Sequence, residues 1–134
     1  MNETRLLVMA DESHKSCFDS LFRRSGIALD YITLESPYQH APLNPDLVAY
    51  FLAERQKYEG PYDGALICGC CADSLPVLTD KLTFTGKVIY MVFGGEGAIR
   101  DGPPPSERGI DLYVEGGALI PSEFVPQVRE VLVQ

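Results

Sequence analysis

The chain has 134 residues, 46% of them hydrophobic and 22% charged, with a net charge of −8. That length suits one α/β domain over residues 1–134, with one full core and not two. The acidic balance argues against nucleic acid and anionic membrane as partners, since both need basic patches against phosphate. No apolar run approaches the roughly 18 residues of a membrane span. The opening MNETRLLVMA lacks the basic start and long apolar stretch of a signal peptide, so a cytoplasmic protein is expected.

In chain order, Arg5–Ala10 is a nearly continuous apolar run, the pattern of a strand buried on both faces. Asp11, Glu12 or Ser13 can cap a following helix in which His14, Cys17, Phe18, Leu21 and Phe22 recur at helical spacing, with Gly26 at its end. Cys17 falls on the apolar side and is expected in the core. Arg23-Arg24, with Lys15 upstream, reads as a solvated helix face. Ile27–Leu34 interleaves β-branched and aromatic residues as a second strand. Residues 35–43 form a loop punctuated by two prolines, and Asn44-Pro45 supplies an N-cap and a first-turn proline for the next helix. Its apolar stripe is Leu47, Val48, Phe51 and Leu52, and Glu59-Gly60-Pro61 breaks it.

Gly64–Cys68 is a third buried strand, Ser74-Leu75-Pro76 opens a helix, and Lys87–Phe93 is the fourth and most apolar strand. Residues 94–107 open with Gly94, Gly95 and Gly97 and hold a triple proline, suited to a lid or a subunit contact. Leu112–Val114 is a brief fifth strand, and a final helix from Pro121 carries Phe124, Val125, Val128, Val131 and Leu132 on one side. Five strand–helix repeats predict a three-layer, Rossmann-like domain with a five-stranded parallel sheet, order 2-1-3-4-5. Such sheets bind ligands outside the carboxyl ends of their strands, near the switch point between strands 1 and 3.

That rule nominates the segment from Cys68 to Ser74. Amides at a helix start suit a phosphate or carboxylate, and their field lowers a nearby thiol's pKa. Cys68 closes the strand where a fixed catalytic group would stand; the other reading is a small core residue. Cys70 and Cys71 read as packing residues beside the anion site, and Asp73 and Ser74 as helix caps within it. Asp11 and His14, after strand 1, are acid–base candidates, or else a cap and a partly exposed side chain. His40 in the second loop and Gly94 and Gly95 after strand 4 can reach the same cleft. No metal is expected, because one C-x-C-C cluster cannot easily complete a tetrahedron. Gly94-Gly95-Glu96-Gly97 has neither a dinucleotide fingerprint nor a P-loop lysine, and no cofactor is expected.

These residues resemble the ribose-5-phosphate isomerase B and galactose-6-phosphate isomerase family. The points of likeness are Asp11, Pro45, Leu66-Ile67-Cys68-Gly69, Asp80-Lys81, Leu112–Gly116 and Glu123. The resemblance implies carbohydrate metabolism: an isomerase in which Cys68 moves a proton between adjacent carbons of a sugar phosphate, Asp11 assists ring opening, and the amides of Gly69 to Ser74 hold the oxyanion. It implies a small anionic, phosphorylated metabolite as partner and a homodimer or higher oligomer. A rival expectation is a non-catalytic small-anion-binding or regulatory subunit of the same fold. Ala72–Pro76 with His40-Ala41-Pro42 is also reminiscent of the PurE family, which moves a carboxyl group on aminoimidazole ribonucleotide. A half-sized relative of the aspartate/glutamate racemases ranks last.

Overall fold

Three apolar segments in this chain have no polar side to turn to water, and they become the middle of a sheet. The computed structural model describes residues 4–10, 12–33, 45–68, 84–92, 109–115 and 123–133. In chain order the elements are β1 (Thr4–Ala10), α1 (Glu12–Leu21), β2 (Ile27–Thr33), α2 (Pro45–Glu59), β3 (Gly64–Cys68), β4 (Lys87–Val92), β5 (Leu112–Glu115) and α3 (Phe124–Leu132). All strand pairs are parallel, in the order β2-β1-β3-β4-β5. This is the doubly wound arrangement expected from the alternating pattern. β1, β3 and β4 occupy the centre and are buried almost throughout, while the outer strands β2 and β5 carry the half-exposed residues.

Register assigns the faces. Val8 lies beside Tyr31 and Leu66, and Leu66 beside Ile89, so these four share one face. α1 covers it at β2, where the Tyr31 hydroxyl donates to the Asp19 carboxylate at 2.7 Å. α3 lies on the same face: its Phe124 meets Phe22 edge to face, with ring centroids 6.0 Å apart. Gly64 permits that approach, because a Cβ there would fall 2.5 Å from the Leu132 side chain. Asp30 points to the opposite face, where Tyr62 donates to it and α2 is anchored.

Leu52 and Ala49 are the buried residues of α2 described, and its last turns are tied down by polar side chains. Gln56 accepts the Tyr62 N–H at 2.7 Å and donates to the Tyr62 carbonyl and the Thr85 hydroxyl. Arg55 donates to the Tyr31 carbonyl at 2.9 Å and pairs with Glu59.

Two details of the helices depart from the sequence-based expectation. Cys17 is exposed, while Phe18 and Phe22 are buried. α3 begins at Phe124 and not at Pro121, with Pro126 in its first turn, where a missing N–H costs nothing. The helix expected from Ser74 lies outside the described residues. No helix among the described residues is long and apolar enough to cross a membrane.

Candidate functional site

The carboxyl edge of the sheet is where the topology puts ligand chemistry, and its central positions are apolar. β1 ends at Ala10, β3 at Cys68 and β4 at Val92, each with 1% or less of its surface exposed. Cys68 lies beside Met91 within the core cluster. Its thiol is packed in the sheet and has no open surface towards solvent. Glu115 ends β5, is exposed, and accepts the Tyr113 hydroxyl at 2.7 Å. His14 sits half-buried in the first turns of α1. Asp11, His40, Gly69, Cys70, Cys71, Asp73, Ser74, Gly94 and Gly95 lie outside the described residues, so of the expected site Cys68 and His14 alone are described. Among the described residues no group of three or more histidines, cysteines or acids could hold a metal.

The polar chemistry that is described sits at the other edge, where the strands begin. Arg5 lies over the Tyr62 ring at 4.3 Å and pairs with Asp30 at 3.0 Å. The Tyr62 hydroxyl donates to the same Asp30 oxygen at 2.8 Å. That donation, and then the Arg5 guanidinium, hold the Asp30 carboxyl below the usual carboxylate range against the opposing effect of burial. Burial first, and then donation to Asp30, raise the Tyr62 hydroxyl above the usual tyrosine range. Tyr31 is raised in the same way, by burial and then by its bond to Asp19.

Two aspartates close this edge by accepting backbone amides. Asp63 accepts the Arg5 N–H and Asp111 the Val88 N–H, both at 2.8 Å. They border an open depression of about 380 Å³ with Tyr62, Thr85, Lys87 and Leu132. One carboxylate oxygen of each aspartate is already committed to the fold, so their first role is to hold strand starts in place.

A second depression, about 710 Å³, runs along the exposed side of α1 between Ser16, Cys17, Ser20, Leu21 and Arg23. Beyond it Arg129 of α3 donates to the Ser25 carbonyl, which brings a third arginine to the turn that carries Arg23 and Arg24. Sequence reading found the arginine pair and missed the third, 104 residues from Ser25 in the chain. Nothing local marks that contact.

A five-stranded parallel sheet in this order, wound with helices on both faces, defines a class of fold shared with the receiver domains of response regulators. The chain is similar over 98% of its length, and 99% of the other's, to a CheY-like response regulator receiver domain from Methylobacillus flagellatus, with a TM-score of 0.62 and 16% identity. It is also similar, over 99% of its length and 97% of the other's, to a response regulator protein from Burkholderia multivorans, with a TM-score of 0.51 and 9% identity. No family model and no curated protein matches the chain. At these identities the likeness is one of fold.

These neighbours correct the expected function. They are receiver domains, not ribose-5-phosphate isomerase B, galactose-6-phosphate isomerase or PurE enzymes, and they point away from an isomerase of carbohydrate metabolism. The expected sugar-phosphate partner falls with that reaction. The physical reason lies in Cys68. The LICG segment resembles an enzyme's strand end, but Cys68, which closes the central strand β3, has its thiol fully buried.

Proposed function

We propose that the chain is a regulatory domain of the response-regulator receiver type. It acts through contact with protein partners, an upstream histidine kinase or a downstream effector domain, and does not turn over a metabolite. The observation that carries this reading is the sheet order together with end-to-end correspondence to the Methylobacillus receiver domain. The apolar strand ends Ala10, Cys68 and Val92 support the same view. Ala10 and Val92 offer no group for general acid–base or covalent chemistry, and the Cys68 thiol is fully buried. A signal would then be carried by which surfaces are covered, with the core as a rigid support.

The test is a binary interaction screen of the chain against the histidine kinases and effector domains of its source genome, with hits measured by calorimetry on purified pairs. A saturable one-to-one complex is expected. Absence of any such partner, together with stabilisation by a small metabolite, would overturn the proposal.

A further inference from the structure

Basic side chains are the minority in this chain, 11 against 19 acidic ones, and seven of them are arginines. Three of them nevertheless meet at one turn. Arg23 and Arg24 follow α1 in sequence and are exposed, and α3 delivers Arg129 to the Ser25 carbonyl. Neither the Arg23 nor the Arg24 guanidinium has a hydrogen bond or ion pair with another described residue.

The turn does not need these side chains. The Ser25 hydroxyl donates to the Phe22 carbonyl at 2.6 Å and accepts the Ile27 N–H at 3.0 Å, which closes the turn through Ser25 alone. Arg24 moreover holds φ at 68°, in the left-handed region where glycine is at ease and a Cβ is strained. Cations past a helix end do complement its dipole, which explains one positive charge here. It does not explain an arginine at the position that glycine would occupy with less strain. Strain of this kind collects where a side chain is used.

Next to the arginines lies the depression on α1. Ser16, Cys17 and Ser20 are small, and Leu21 is half-buried between them. Small side chains one turn apart leave a groove that admits the ridge of another helix. Guanidinium groups at its end favour carboxylates, which they bind in planar, bidentate fashion. We propose that this face docks an acidic amphipathic helix of a partner protein, its apolar side over Cys17 and Leu21 and its carboxylates on Arg23, Arg24 and Arg129. The proposal rests on the reading of the chain as a regulatory domain and adds the surface and the partner's chemistry. Nucleic acid fits less well, because three arginines make no phosphate-tracking stripe on a chain of net charge −8.

The experiment follows amide resonances of the whole chain during titration with a synthetic amphipathic helix whose leucine face is flanked by glutamates. A glutamine-flanked version and duplex DNA are run in parallel. Shifts are expected at Ser16, Cys17, Ser20, Arg23 and Arg24 with the glutamate helix alone. R23E/R24E should weaken binding by about tenfold or more, and added salt should weaken it further. R24G should also weaken binding while its Tm equals or exceeds that of the parent, which separates recognition from folding. Unchanged affinity in either variant, equal binding of the glutamine helix, preference for DNA, no binding, or shifts on another face would each overturn the proposal. A kinase or effector found to bind a different face would overturn it while leaving the regulatory reading intact; no protein partner of any kind removes both.

Discussion

Asp30 shows how one carboxylate organises the amino edge of the sheet. It accepts from Tyr62 and Arg5 at once, and Arg5 in turn lies over the Tyr62 ring. Its folded pKa is lowered, so its contribution is present above the unfolded value of about 3.9 and is lost as pH falls through the folded value. Asp30→Asn is therefore expected to lower stability at neutral pH by at most about 1 kcal/mol, because the pair is partly solvated. The gap to the parent should close as pH drops below about 4. Urea unfolding midpoints across that range check this, and a gap that persisted at low pH would refute it. None of this cluster was visible in the sequence, since its members are brought together by strand pairing. Cys17 and Phe18 show a related limit. Both lie within the arc that helical spacing assigns to the core, and the larger, wholly apolar ring took the buried position while the thiol faced out.

At the scale of elements, the strands were more legible than the helices. β1, β3 and β4 are buried on both faces, so their apolar runs have no interruption, and Gly64–Cys68 was read with both of its ends in place. Helix limits are less well marked by spacing, as the start of α3 at Phe124 shows. α2 is the clearest case, because polar side chains from its last turns anchor it to distant backbone. Gln56→Ala would leave the Tyr62 N–H without its side-chain acceptor, and Tyr62 is almost fully buried. A loss of about 1–3 kcal/mol is expected. Hydrogen exchange should locate the loosening in α2 and the segment before β3. Glutamate at the same position keeps the acceptor and should recover part of the loss.

At the scale of the molecule, the described strands form one five-stranded sheet, and the alternation of strands and helices was enough to specify its order. Function was less legible, because a doubly wound sheet gives many proteins the same strand-end positions whatever occupies them. A cysteine at the end of β3 therefore resembles a catalytic residue by position, whatever its surroundings, and here it is fully buried. The centre should behave as one cooperative unit. Leu66→Ala, at a fully buried position between β1 and β4, is expected to cost about 3 kcal/mol. The loss should lower the global exchange protection of β1, β3 and β4 together; a change confined to β3 would contradict a single core.

The outermost position of β2 has a further consequence. A seven-residue strand at a sheet margin is a template on which a second chain can extend the ladder. Here Arg55 reaches from α2 to the Tyr31 carbonyl, and Asp30 places a charge in mid-strand. An incoming strand would have to displace the guanidinium and lie beside that carboxylate. The contacts that fasten α2 to the sheet thus also guard this margin against pairing with a further strand.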